Sequence, residues 1–435
     1  MDCTFQIFLH NEWLDCATVS VQDDVNGDPH TPSIFEYDLD YAFQPGIEAI
    51  SLRLPPSAEI QLLKSWPSFL FDLVPQGSSR QYLLGELGLN DGPAADFALM
   101  RAGAFNPIGR IRVAEAVDYH AEHVKRYPAD KTAHGFTLDE ITGRSGEFNE
   151  RMLIHSMLAA GSLGVQGAAP KYLLTTDQQG SWHADGALAD SKANGHFIVK
   201  RPRGKSDADR KVLKNEAAYI AVAKAVGIRT WGTPRHHDDT LFIPRFDRLH
   251  LSQGKVQRLH QESLASIIGT IGFNTRPTQF ELLAGLRGVV SDPTGETVEF
   301  LKRDILNLAM CNTDNHARNT AVQKTADKIQ LTPLFDFAPM YLDPEGIPRA
   351  ARWHHPVTRV ELTSWTEVLS ALPVDDIERR HIRLTLHHFA AQVQALDQHM
   401  AAAGVDDDVI RFLQPHIAVQ VQQLQALGED QHGPR

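Results

Sequence analysis

Asn312-Thr313-Asp314-Asn315-His316-Ala317-Arg318-Asn319, followed shortly by Leu331-Thr332-Pro333-Leu334-Phe335-Asp336-Phe337, are the segments around which the rest of the chain is arranged. Asp314 precedes the amide of Asn319 by five positions, and Asp336 adds a second carboxylate inside an apolar run. Phosphoryl transfer uses such a set. One carboxylate orients an attacking hydroxyl and takes its proton, while an amide oxygen and a second carboxylate hold Mg²⁺ on the phosphates. The same residues could also meet by chance in a polar turn, so the neighbouring sequence has to decide.

Asp-x-x-x-x-Asn is the spacing of protein-kinase catalytic loops, and Asp336-Phe337-Ala338 reads as a variant of their metal-binding Asp-Phe-Gly. His316, between Asp314 and Asn319, is placed to brace the loop by bonding a backbone carbonyl or Asp336. A zinc site built with Cys311 lacks the ligand spacing such sites show. Upstream, Gly161-Ser162-Leu163-Gly164-Val165-Gln166-Gly167 leads through Pro170 into Lys171. Glycines there would let backbone N–H groups approach phosphates, and Lys171 would add charge; a plain flexible turn explains them equally well. Lys200 closes the apolar run Phe197-Ile198-Val199, where a strand lysine reaches inward, and Glu216 on the next helix is its natural partner. The other cations around it mix with acids and read as a solvated helix face. Arg203-Gly204-Lys205-Ser206 is not a Walker A loop, because Val199 stands where its first glycine belongs.

Composition narrows the class. The 435 residues suggest two or three domains, and 42% hydrophobic content suits a globular core. A net charge of −12 argues against a chain built to coat nucleic acid. Three cysteines without paired spacing fit a reducing compartment. The N-terminus shows no signal-peptide pattern, and no apolar run reaches the ~20 residues that span a bilayer. The expectation is a soluble cytoplasmic protein with no membrane association.

Alternation predicts strands around Phe5–Leu9, Phe35–Tyr37 and Ile50–Leu54, then a helix from Arg80 to Leu89. Residues 1–115 read as a small α+β domain without chemistry of its own, and 116–150 as a connection with a helix cap at Thr137. Strands are expected at Lys171–Thr176, Gly195–Lys200 and Thr240–Arg245, with a helix from Leu213 to Val226. Helices dominate after Ser263: one covers Thr297–Met310, and a long final one carries Ile382, Leu386, Phe389, Val393, Leu396 and Met400 as a single stripe. The reading is thus α+β and two-lobed, with 151–262 the strand-rich nucleotide-binding part and 263–435 the helical lobe.

With this set assembled, the sequence resembles the HipA family of serine/threonine kinases, the toxins of bacterial toxin–antitoxin pairs. Phe69-Leu70-Phe71-Asp72-Leu73-Val74-Pro75, Gly167-Ala168-Ala169-Pro170-Lys171, Lys200, Asn215-Glu216, Arg245-Phe246-Asp247-Arg248, Thr313–Asn319 and Thr332–Asp336 follow in the family's order. The resemblance implies a protein-kinase-like fold, with Asp314 as catalytic aspartate and Asn319 and Asp336 as Mg²⁺ ligands. It also implies Lys200 as the ATP lysine, and Arg245 and Phe246 beside the adenine. It further implies a protein substrate, with aminoacyl-tRNA synthetases as the known class, growth arrest, and neutralisation by a small helix-turn-helix antitoxin that contacts DNA. One departure stands out. The family's autophosphorylated serine lies three residues before the glycine matching Gly167, and here that position is Gly164; Ser162 is the nearest hydroxyl. Two other readings use the same residues: a small-molecule kinase of similar fold, and a kinase-fold scaffold for an antitoxin–DNA complex.

Overall fold

The computed structural model describes residues 1–21, 27–127, 135–143, 148 and 171–428. The glycine-rich stretch, with Ser162, Gly164 and Gly167, lies outside them. The chain divides into two compact units. The first comprises Met1–Arg203, Arg235–Thr275 and Gln323–Thr325, and the second Gly204–Pro234, Arg276–Val322 and Ala326–Arg435.

Among its described residues the first unit holds two antiparallel five-stranded sheets. Strands β1 (Asp2–Leu9), β2 (Glu12–Val21), β3 (Ser33–Tyr37), β4 (Gln61–Leu63) and β5 (Ile111–Val113) lie in the order β4-β3-β2-β1-β5. His10 and Asn11 join β1 to β2 with φ of 53° and 67°, the double left-handed turn whose twist suits a two-residue hairpin. Cys3, Phe5 and Ile7 alternate into a core shared with Phe35, Phe69, Phe71 and Phe97. The strand expected at Ile50–Leu54 is instead a turn, closed by a Ser51–Leu54 bridge. Its cause is Glu262: this buried carboxylate accepts the Ser51 hydroxyl at 2.7 Å and the Leu52 N–H at 2.8 Å, so the segment bonds a side chain rather than a strand. Strands β6 (Lys171–Asp177), β7 (Trp182–Ala184), β8 (Ala193–Lys200), β9 (Arg235–His237) and β10 (Thr240–Pro244) form the second sheet, ordered β7-β6-β8-β10-β9.

The second unit is mainly helical among its described residues. The helix expected from Leu213 begins earlier, at Asp207, because Ser206 and Asp209 form a reciprocal capping box there. The stripe Ile382–Met400 is buried throughout, but it spans two helices, Asp376–Gln394 and Leu396–Ala403, rather than one. Nor is it the end of the fold. A further helix, Asp407–Ala426, buries Val409, Leu413, Ile417 and Leu424 with Pro415 inside it, a residue that ordinarily argues against a helix interior.

Candidate active site

The Asp314 loop hangs from the helix Pro293–Ala309, which Asp292 caps by accepting the Gly295 N–H at 3.0 Å. Cys311 then turns the chain with φ of 51°, and Asn312 fastens it back through two bonds to Asn307, N–H to carbonyl at 3.0 Å and Nδ2 to Oδ1 at 2.9 Å. Burial pushes the Cys311 thiol up to about 11, so it is no nucleophile at neutral pH.

Within the loop every amide has a task. Asn319 Nδ2 donates to the Asp314 carbonyl at 2.8 Å, and the Asn319 N–H to the His316 carbonyl at 2.9 Å. The first of these bonds uses the Asn319 side-chain nitrogen and leaves its oxygen as the acceptor end of the amide. His316 Nδ1 accepts the Arg318 N–H at 3.2 Å, which puts the ring proton on Nε2, 3.6 Å from Asp314 Oδ1. Asn315 is held at both ends of its amide: Nδ2 donates to Ala351 O at 2.8 Å, and Oδ1 accepts the N–H groups of Ala350 and Ala351 at 2.9 and 3.2 Å. Behind it, buried Asp304 accepts from Gln279 at 3.0 Å, from Arg349 at 2.6 Å and from Trp353 Nε1 at 2.8 Å.

Asp336 is held differently. Arg303 donates to the Thr332 carbonyl at 2.8 Å, and the Leu334 N–H to the Arg229 carbonyl at 2.8 Å. On the other side Phe337 is fully buried against Tyr219, ring centroids 5.3 Å apart. Between these anchors Asp336 takes φ of 48°, a left-handed conformation that costs a non-glycine residue roughly 1–2 kcal/mol. Such strain persists where the surroundings impose it, and it concentrates at functional positions.

Asp314, Asn319 and Asp336 line one recess of about 30 Å³, together with Asn307 and Asn312. A carboxylate and an amide oxygen are the hard donors that suit Mg²⁺. Asn312, which lines the recess, has its Oδ1 buried without a hydrogen-bond partner, which fits a site that takes a cation or its water. Among the described residues no cluster of three or more histidine, cysteine, aspartate or glutamate side chains forms.

In the first unit, Lys171 and Lys200 stand directly opposite across β6 and β8, both buried. Residues opposite each other in an antiparallel pair project to the same face, so their ammonium groups share one side of the sheet. Glu216 is buried on the helix Asp207–Ala225 of the second unit. Phe246 is half-buried. The side chain of Arg245 is fully enclosed: it bonds Asp247 through Nε and Nη2 at 2.9 and 2.7 Å, and Asp185 through Nη1 at 2.5 Å. Any contribution of Arg245 to a bound base runs through its backbone.

The sequence carries no signal for Asn307, Asn312 and Asn315 as supports of the site, although Asn312 and Asn315 stand beside Asp314. Their partners, one turn back or 36 residues on, give no local signal.

Comparison with known proteins then fixes the lineage. The model of the HipA-like C-terminal domain matches residues 163–407, and that of the HipA N-terminal domain residues 24–114. The chain belongs to the HipA family. This HipA-family chain is 25% identical to Y4mE of Sinorhizobium fredii, a kinase by name, over 69% of its own length and 71% of that protein's. Its structure is similar to that of HipA from the Shewanella oneidensis MR-1 complex of HipA, HipB and operator DNA, with a TM-score of 0.60 at 18% identity, covering 98% and 97% of the two chains. The shared fold is the two-lobed, kinase-like α+β fold. No helix among the described residues is long and apolar enough to cross a membrane.

Proposed function

We propose that this HipA-family chain is an ATP- and Mg²⁺-dependent serine/threonine protein kinase. The observation that carries the reading is the recess where Asp314, Asn319 and Asp336 converge, with the Asn319 amide holding the Asp314 backbone at 2.8 Å. Asn319 Oδ1 and the Asp336 carboxylate would hold Mg²⁺, which neutralises charge on the nucleotide phosphates when bound. Asp314 orients the attacking hydroxyl and accepts its proton, and the Nε2–H of His316 steadies the Asp314 carboxylate. Lys200 and Lys171 supply positive charge to the phosphates, and by family resemblance Glu216 is the carboxylate assigned to partner Lys200. By the same resemblance Gly164 and Gly167, which lie outside the described residues, are assigned to the phosphate loop, and Phe246 to the neighbourhood of the base. The division at about residues 115, 150 and 262 belongs to the same reading.

By family resemblance, the substrate is a hydroxyl of a translation-related protein such as an aminoacyl-tRNA synthetase, phosphorylated in the cytoplasm to arrest growth. A small DNA-binding antitoxin, by analogy with HipB beside Shewanella HipA, is the assigned partner, so DNA is contacted indirectly. Ser162 is the loop hydroxyl assigned to self-phosphorylation.

The test is phosphoproteomics after expression of the wild type and of Asp314→Asn. Phosphosites that appear only with the wild type support the reading; identical profiles overturn it. Calorimetry with Mg²⁺-ATP should show a large loss of affinity in Lys200→Ala, and an unchanged affinity removes its phosphate role. Mass spectrometry after Mg²⁺-ATP incubation should find Asp314-dependent phosphate at Ser162; a phosphate confined to Ser145 would move the loop.

A further inference from the structure

A second cavity, of about 550 Å³, lies within the first unit and is lined by none of the residues assigned to phosphoryl transfer. That volume falls in the range of small-molecule sites, which run from about 300 to 1,000 Å³. The β1–β2 hairpin turn sets one wall by placing Phe8 directly opposite Trp13, rings 5.2 Å apart and edge to face. Arg112, on β5, lays its guanidinium over Trp13 at 4.0 Å from the ring centroid. Arg258 approaches the same ring at 5.0 Å and Phe8 at 5.1 Å. Phe105 and His120 line the cavity as a parallel pair, centroids 3.9 Å apart at 7°.

Two guanidiniums on one indole gain cation–π attraction, yet they repel each other. Their neighbours offset this only in part. Arg258 donates to Asn106 Oδ1 at 2.6 Å and meets Asp190 at 3.3 Å, while its buried Nε has no acceptor. Arg112 donates to the neutral Gln6 Oε1 at 2.7 Å and forms no ion pair with a described carboxylate. Burial, with the charge of Arg258 added, pushes the Arg112 guanidinium down to about 10. Lys255 also lines the cavity. In a chain of net charge −12, this is a pocket of excess positive charge walled by aromatic rings.

We propose that this cavity binds a small aromatic or heteroaromatic anion, with its carboxylate or phosphate on Arg112 and Arg258 and its ring among Trp13, Phe105 and His120. An oxyanion between the guanidiniums replaces their repulsion with charge-assisted hydrogen bonds. A flat ring fills the remaining space against aromatic faces, where offset and edge contacts are favourable.

The experiment is titration calorimetry of the full chain with benzoate, phenyl phosphate and inorganic phosphate. Nucleotides are left out so that occupancy of the proposed kinase site is not read. One ring anion per chain should bind, more tightly than inorganic phosphate, and the winner of benzoate and phenyl phosphate tells a carboxylate ligand from a phosphate one. Arg112→Gln should weaken that binding about tenfold, the scale of one lost charge-assisted bond. Arg112→Lys, which keeps the charge, should fall between the two, and both should melt as the wild type does. No binding of any probe at roughly 10 mM, well beyond millimolar affinity, overturns the proposal. Equal affinity of wild type and both Arg112 variants overturns it too, and inorganic phosphate binding as tightly as the ring anions removes the aromatic half.

Discussion

Two stretches of this chain look alike on paper: Arg245-Phe246-Asp247-Arg248 and Asp314-Asn315-His316-Ala317-Arg318-Asn319 both crowd charged and polar groups into a few positions. In the folded protein they behave oppositely. The side chains of Arg245, Arg248, Asp247 and Asp185 are at most 4% exposed and spend their charges on one another, with the Gly109 N–H added at 2.8 Å. Burial works against the Asp185 and Asp247 carboxylates, but the arginines outweigh it and hold both far below the usual carboxylate range. Asp314 and His316 instead keep 28% and 33% of their side chains open, with His316 Nε2 3.6 Å from Asp314 Oδ1. Charges that saturate each other build structure. A carboxylate that lines a recess, as Asp314 does, stays accessible to a ligand.

The strongest way to break this contrast is to remove one member from each side. Asp247→Asn should leave buried arginines uncompensated and destabilise the first unit by about 3–5 kcal/mol, read by urea unfolding; a wild-type midpoint would mean the cluster is not structural. Asp314→Asn should do the reverse, keeping the melting temperature while lowering phosphate transfer by ~10²–10⁴-fold, the usual worth of a positioned base.

Acid sharpens the same contrast. His196, beside Asp185, is pushed down to about 4, first by burial and then by Arg248 and Arg245, against the pull of Asp185. Its folded pKa lies below its unfolded value near 6.5, so its contribution is full above about pH 6.5 and fades as pH falls toward 4. Asp185 and Asp247 also have depressed folded values, and their contribution is lost as pH falls below about 4. Thermal melts across pH 7 to 3 should therefore show stability declining in two stages, and Asp247→Asn should flatten the second.

The smallest effects are the most discriminating. Asp336→Gly exchanges a strained side chain for one at ease at positive φ, and should change stability by no more than about 1 kcal/mol while abolishing activity at low Mg²⁺. Ser206→Ala removes a helix cap and should cost about 1 kcal/mol with activity intact. If Asp336→Gly instead unfolds the second unit, the residue is structural and belongs with the Asp247 class.

What the sequence made legible follows from how local each signal is. Lys171–Thr176 and Gly195–Lys200 are readable because a short run of apolar, aromatic and β-branched residues is written in adjacent positions, and both form as antiparallel partners. Asp314, Asn319 and Asp336 were readable because their spacing is short and chemically specific, and they do line one recess. Ile50–Leu54 reads as a strand because its alternation is genuine, but Glu262, 210 residues from Leu52, claims its polar groups. The last helix hid behind Pro415, although Val409, Leu413, Ile417, Gln420 and Leu424 keep helical steps. Nothing in Arg245–Arg248 foretold that the charges would turn inward, since Asp185 and Gly109 arrive from distant parts of the chain.

The Asn315 clamp has a consequence in time. Asn315 makes its three bonds with Ala350 and Ala351, and Asp304, which lines the same recess, draws on Arg349 and Trp353. A chain growing from its N-terminus makes Asp314, Asn319 and Asp336 before it makes the residues that set their geometry. Closing such a loop must precede the reward of the contacts it brings. A nascent polypeptide halted before residue 349 would therefore hold the transfer residues without the clamp that shapes their loop, and catalytic competence would come only after segment 349–353 has docked.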